Sequence, residues 1–287
     1  MNQHSQMNWR VLYTPASRGA WNMAADEAIL EHIHRGESAP TLRLYAWNPP
    51  CLSLGHAQPF ADVDVARLSE HGWDIVRRAT GGRAILHTDE LTYSVTGSGE
   101  DPVLSGGVLE SYNRLAQALL YAVRELGLPV EIKEHIGHAS PSRDFASVTY
   151  NGTKVNPVCF EVPSTYEITV QGKKLIGSAQ ARKKEGVLQH GSLPLTGDLT
   201  RICDALVFKD ESARNAAAQR LLTRAATVES VLGRRVDWET AAQAFVGGFE
   251  AALGICFERG MMSQSELKRT EELVKEKYGN PVWTERI

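Results

Sequence analysis

The strongest constraint on the fold is a change of hydrophobic period along the chain. Residues 41–47 alternate, with Leu42 and Leu44 set against Arg43 and Tyr45, and Asn48-Pro49-Pro50 makes a turn into a second run over 51–55. Residues 9–14, 74–78, 84–86 and 91–96 are further short strands in the same style. One long helix interrupts them: Leu109, Tyr112, Leu115, Leu119, Val123 and Leu126 recur at helical spacing over 107–127, and Gly127 with Pro129 stops it. Strand character then returns over 130–133, 165–170, 174–182 and 187–195, with Gln171-Gly172-Lys173 as a hairpin turn. An earlier helix covers 21–34, with Trp21, Ala25, Ala28 and Ile29 on one face and Asp26, Glu27 and Glu31 largely off it. A short helix over 63–71 ends at Gly72. Strands in succession around one long helix argue for an α+β fold, not a strict βαβ alternation. The expected architecture is mixed, largely antiparallel sheets packed with helices.

The pattern shifts near residue 197. Residues 212–224, 238–253 and 265–278 read as helices, and no strand is expected after 196. The chain is therefore divided into a core over 1–196 and a helical C-terminal extension over 197–287. Residues 135–156 are rich in Gly, Ser, Pro and Asn and show no period. They read as a mobile loop, and a loop that long in a compact domain is usually functional or disordered.

Composition excludes several classes. A chain of 287 residues buries about three quarters of its unfolded surface, so neither a disulfide nor a structural metal is required. With 31 basic and 34 acidic residues the net charge is −3, which provides no overall field for nucleic acid or an anionic membrane. The four cysteines, Cys51, Cys159, Cys203 and Cys256, form no C-x-x-C pair, so a zinc ribbon and a thioredoxin-type site are not expected. The N-terminal residues are polar, and residues 241–257 are broken by Gln243, Gly247, Gly248 and Glu250. A cytoplasmic protein with reduced thiols is the expectation. No dinucleotide fingerprint, phosphate loop, metalloprotease helix or nucleophile elbow is present. His135-Ile136-Gly137-His138 spells a word of class I aminoacyl-tRNA synthetases, but it lies mid-chain without its lysine-rich partner.

Three segments carry candidate chemistry. In Arg77-Arg78-Ala79-Thr80-Gly81-Gly82-Arg83, the paired glycines let backbone approach a ligand and the arginines can place an anionic group. The plain alternative is a hairpin turn with solvated arginines and a structural His87. In the second segment, Cys159 follows a polar loop and precedes a strand, which suits an accessible thiol. A lone cysteine is otherwise a small buried hydrophobe, the reading given to Cys51, Cys203 and Cys256. In the third, Gly177, Ser178 and Ala179 offer small side chains for close approach, as does the strand of Gln189-His190-Gly191-Ser192. Lys174 precedes the third segment, and its plain reading is a solvated hairpin lysine.

Jointly and in this order, these segments resemble the lipoate-protein ligase and octanoyltransferase family, within the wider biotin/lipoate ligase group, and most of all its octanoyltransferases of the LipM type. The resemblance runs from Asn22-Met23-Ala24-Ala25-Asp26-Glu27-Ala28 through Arg43-Leu44-Tyr45-Ala46-Trp47-Asn48-Pro49 and the double-arginine segment. It continues over Cys159-Phe160, Pro163-Ser164, Tyr166-Glu167, Lys174, Gly177-Ser178-Ala179-Gln180 and Gln189-His190-Gly191-Ser192. The resemblance implies a curved mixed sheet packed against helices, with an acyl chain held in a tunnel. It implies catalytic roles for Cys159 and Lys174, and substrate contacts from Arg78, Thr80, Gly81, Gly82, Arg83, His87, Gly177, Ser178, Ala179 and His190. One departure is Thr88, which stands where the family places an acid after the histidine. Asp89 comes one later, and this leaves the roles of His87 and Asp89 open.

The cysteine matched by Cys159 separates the transferases from the ATP-using ligases. The implied activity is transfer of octanoyl from octanoyl-acyl carrier protein to a lysine of a lipoyl domain, such as the glycine cleavage H protein, through a Cys159 thioester. No cofactor is expected, because one thioester replaces another. Partners are protein substrates, with no nucleic acid or membrane, and a monomer is expected. The alternatives are an ATP-dependent lipoate ligase, an amidotransferase between lipoyl domains, and a non-catalytic acyl-binding regulator with a buried, unreactive Cys159.

Overall fold

The computed structural model describes residues 7–130 and 168–287. The loop at 135–156, Cys159, and the first residues of the expected hairpin lie outside the described residues, as does all of the strand expected at 130–133 except Val130, which bridges Val170. The elements are β1 (Met7–Tyr13), α1 (Gly19–His34), β2 (Thr41–Tyr45), β3 (Cys51–Leu54), α2 (Val65–Glu70), β4 (Asp74–Arg77), β5 (Ile85–His87), β6 (Glu90–Gly97) and α3 (Val108–Glu125). They continue with β7 (Ile168–Val170), β8 (Lys173–Lys183), β9 (Gly186–Pro194), α4 (Glu211–Arg224), α5 (Val228–Leu232), α6 (Trp238–Leu253), β10 (Ile255–Gly260), α7 (Gln264–Leu273) and α8 (Pro281–Thr284).

Two sheets form. The larger has seven strands in the order β10-β1-β2-β6-β9-β8-β7. Its β10, β1 and β2 run parallel, and every pairing from β2 to β7 is antiparallel. The smaller is β4-β3-β5, with β3 parallel to β4 and antiparallel to β5. The mixed, largely antiparallel architecture matches the sequence expectation.

The apolar stripe of α3 explains its place. Leu115, Leu119 and Val123 are buried in one core with Phe245 and Phe249 of α6 and with Leu91, Tyr93 and Val95 of β6. Full burial of one such side chain stabilises by about 1.5–3 kcal/mol. The opposite face of β6 carries Thr92, Ser94 and Thr96, an alternation that ordinarily marks a solvated face. Here those residues are buried as well, and so is every residue of β9. Ser94 Oγ donates to Asp26 of α1 at 2.7 Å, so this polar face turns toward α1 and not toward water.

The strand β10 corrects the expectation that only helices follow residue 196. It pairs with β1 from Met7↔Ile255 to Leu12↔Gly260. Six residues reading Ile-Cys-Phe-Glu-Arg-Gly have no clear period, and their strand state comes from the edge that β1 offers. Cys51 and Cys203 are buried as expected, but Cys256 on this edge strand is only half-buried. No described helix is long and apolar enough to cross a membrane.

Candidate functional site

Where the small sheet faces the middle of the large one, the fold leaves a cavity. Empty space of about 440 Å³, counting its open mouth, lies between β3 and β5 on one side and β6, β8 and β9 on the other. Seven of the sequence-expected residues line it: Arg78, Gly82, His87, Gly177, Ser178, Ala179 and His190. The cavity also takes in side chains outside the expected substrate contacts, among them Met23, Tyr45, Trp47, Ser53, Ile85 and Ser192.

The plain alternative of solvated arginines fails for Arg77 and Arg78, which are both buried, while Arg83 is half-buried. Arg78 is buried and serves as a strut. Its Nη1 donates to the carbonyl and hydroxyl of Ser53 at 3.0 and 3.1 Å, and its Nη2 donates to Gly81 O and Arg83 O, both at 2.8 Å. These are backbone acceptors of the glycine loop itself, so Arg78 shapes that loop. Gly81 and Gly82 are exposed, and Gly82 has φ +88°, a conformation that favours glycine. Gly81 and Arg83 meet Arg78 through these carbonyls.

His87 is held on three sides. Nδ1 lies 2.6 Å from Glu90 Oε1, Nε2 lies 2.8 Å from Ser53 Oγ, and the ring stacks on Trp47 with centroids 4.0 Å apart. Trp47 Nε1 donates to Thr92 Oγ1 at 2.7 Å, and Thr92 donates to Glu90. The acid that accompanies His87 is therefore Glu90. Asp89 faces outward and pairs with Arg201. In sequence Glu90 opens an alternating strand, and its position three residues past His87 is the signal that was available.

Asp26 organises the other wall. It was read as lying off the buried face of its helix, but it is fully buried. Arg43 Nη1 donates to Oδ1 at 2.8 Å, Tyr45 Oη donates to Oδ2 at 3.1 Å, and Ser94 Oγ donates to Oδ1. Burial pushes this carboxyl up, but Arg43, His190 and Ser94 together outweigh it and hold it below its ordinary value. His190 is also buried. Its Nε2 lies 2.6 Å from Thr80 Oγ1, while Nδ1 stands 3.6 Å from Asp26 Oδ2. Burial lowers the imidazole pKa more than Asp26 raises it. Ser192 Oγ, also at the cavity, is buried and has no hydrogen-bond partner among the described residues.

Lys174 does not have the solvated position of the plain hairpin alternative. Only 6% of it is exposed, near the start of β8, three residues before the cavity-lining Gly177. Its carbonyl accepts from Ala226 N at 3.0 Å. Among the described residues, no group of His, Cys, Asp or Glu is placed to hold a metal ion. The arrangement is an apolar slot with buried polar groups at fixed points, a form that suits a small, largely apolar ligand held by a few polar contacts.

Comparison with known proteins bears on the family and the fold. Residues 18–250 match the model of the lipoyl protein ligase A/B catalytic domain. The octanoyltransferase LipM of Moorella thermoacetica is 40% identical, over 97% of this chain and 98% of its own. That of Symbiobacterium thermophilum is 38% identical, over 98% and 99%. A chain from the structure of a bi-partite lipoate protein ligase and its E2 lipoyl domain of Thermoplasma acidophilum aligns with a TM-score of 0.76 at 24% identity, over 97% of this chain and 96% of that one. Lipoate-protein ligase A bound with ATP aligns with a TM-score of 0.74 at 24% identity, over 97% and 99%. These two likenesses establish the fold.

Proposed function

This chain belongs to the lipoyl protein ligase A/B catalytic-domain family, alongside the LipM octanoyltransferases, and we propose that it moves an octanoyl group from octanoyl-acyl carrier protein to a lysine of a lipoyl domain. The observation that carries this reading is 40% identity over almost the whole of both chains with a protein named for octanoyl transfer. The cavity supports it. Met23, Tyr45, Trp47 and Ile85 give an apolar lining for the acyl chain, worth about 0.8 kcal/mol for each buried CH₂. Arg78, Thr80, Gly81, Gly82, Arg83, His87, Gly177, Ser178, Ala179 and His190 are the proposed substrate-binding set.

Cys159 is the proposed nucleophile. An ordinary thiol of pKa about 8.5 is only a few per cent ionised at neutral pH. A neighbouring ammonium favours the thiolate, and Lys174 is the proposed partner. A buried lysine is uncommon without a specific role. The Cys159 thiolate attacks the octanoyl carbonyl, the bond to the carrier's sulfur breaks, and the carrier thiolate takes a proton from the Lys174 ammonium, which leaves Lys174 a neutral amine. The amine of the acceptor lysine then attacks the Cys159 thioester, its proton passes to the neutral Lys174 amine, the Cys159 thiolate leaves, and the starting ammonium–thiolate pair is restored. Exchange between thioesters is nearly even and amide formation is downhill, so no ATP is consumed. The glycine cleavage H protein is the proposed acceptor. The reading also keeps the core at 1–196, an extension at 197–287, and a cytoplasmic monomer.

Intact mass after mixing with octanoyl-acyl carrier protein, without ATP, tests this. The expected result is a gain of one octanoyl group, released by hydroxylamine and absent from Cys159→Ala. Modification of a lipoyl domain only with free acid and ATP, undiminished in Cys159→Ala, would make the protein a ligase. An unchanged pH profile of thiol alkylation in Lys174→Ala would remove Lys174 from the activating role.

A further inference from the structure

Residues 281–287 reach the segments that carry the rim of the cavity, across more than two hundred positions of sequence. Trp283 Nε1 donates to Arg77 O at 2.8 Å, and Arg77 Nε donates back to Thr284 O at 2.9 Å. Arg77 Nη1 donates to Gly55 O at 2.9 Å and Gln58 O at 2.6 Å. The Arg286 guanidinium lies 3.8 Å over the Trp283 ring and donates to His56 O at 2.9 Å. Phe60 N donates to Ile287 O at 2.7 Å.

One further step reaches the cavity. His56 N donates to Thr80 O at 2.9 Å. Gly55 packs so closely on Gly82 that a Cβ there would run into Gly82 O. Gly82 lines the cavity, and Thr80 Oγ1 meets His190.

Arg77 is fully buried, and no carboxylate pairs with it among the described residues. Burying an unpaired cation is expensive, so its use here is as a fork of donors. It ties residues 55–58 to Thr284 through main-chain carbonyls alone. The glycine loop has two exposed glycines and loses much conformational entropy on ordering. A loop of that kind keeps one shape when its neighbours hold it.

We propose that Arg77, Trp283 and Arg286 are positioning residues: residues 281–287 form a clasp that holds the 78–82 loop in the shape the acyl site requires. The clasp concerns the loop itself; its effect on catalysis rests on the octanoyl-transfer reading above.

The test combines amide exchange at His56 and Arg78 with steady-state octanoyl transfer, in Trp283→Ala and, as a milder variant, Arg286→Ala. Loss of one or two hydrogen bonds should raise exchange at both amides about tenfold in Trp283→Ala. Exchange in β6 and β9 should stay unchanged. The KM for octanoyl-acyl carrier protein should rise severalfold, with kcat within about twofold of the parent. Val282→Ala, on the same segment at a side chain 78% exposed, should change none of these. Unchanged exchange at His56 and Arg78 in both folded variants overturns the proposal. An equal rise across β6 and β9 does so too, because it reports general loss of stability. A loosened loop with an unchanged KM removes the positioning role. If the parent protein transfers no octanoyl group, the functional reading fails, and the exchange data still decide the clasp.

Discussion

His87 and Glu90 form a buried pair at the cavity wall, with the imidazole Nδ1 2.6 Å from the carboxylate Oε1. A carboxylate only accepts, so Nδ1 carries the hydrogen. Glu90→Leu would leave that N–H and the Thr92 hydroxyl unpaired in the interior. A cost of about 1–3 kcal/mol is expected, measured by urea unfolding. Asp89→Asn, at an exposed side chain, should stay within about 0.5 kcal/mol of the parent. Equal costs at the two positions would argue against Glu90 as the partner of His87.

Asp26 and Arg43 are a second buried pair, 2.8 Å apart and sealed from solvent. Asp26→Asn leaves the guanidinium uncompensated, and a loss of about 3–5 kcal/mol is expected. The pH dependence has a definite sign. The folded carboxyl is held below its ordinary value, so its contribution is fully present above the unfolded value of about 4 and is lost as pH falls toward the folded one. Urea midpoints taken from pH about 6 to 3 should fall more steeply for the parent than for Asp26→Asn. Parallel curves would mean that Asp26 titrates alike in both states.

Gly191 sits where β9 backs the cavity. A Cβ there would lie 2.5 Å from Gly177 O, 2.6 Å from Ser178 Oγ and 2.8 Å from Tyr93 Cε1. Gly191→Ala must push these apart, at about 1–3 kcal/mol, read as a lowered melting temperature. Tyr93 and Ser178 are hydrogen-bonded to each other at 2.7 Å, so the displacement should reach the lining. Hexanoyl should then gain on octanoyl as donor when the two compete. An unchanged ratio would place the acyl chain away from this wall.

Much of the framework was legible in the residues. The stripe from Leu109 to Leu126 located α3 within two residues at each end, and the run over 238–253 coincides with α6. The segments around Gly81, Ser178 and His190 were selected separately and meet at one cavity. The misses share a cause. Asp26, Ser53 and Glu90 look like ordinary surface or strand residues, and Arg77 and Arg78 like a solvated pair, because a polar side chain carries no local mark of burial. Whether it can be buried depends on acceptors and donors from elsewhere: Asp26 has Arg43, Arg77 has Gly55, Gln58 and Thr284, and Glu90 has Thr92.

The amino-acid sequence by itself determined most of the longer helices and strands, because period and punctuation are local properties set by which side chains leave water. It also determined the order of site segments that marks the family. Only the tertiary structure decided that Ile255–Gly260 becomes a strand, since its state comes from pairing with β1. Tertiary contact likewise turned the polar face of β6 inward, where α1 satisfies it. The same holds for the Ser53, His87 and Glu90 chain and for the Trp283–Arg77 clasp. Their energies lie in hydrogen bonds between distant residues, and those bonds form only once the chain has closed on itself.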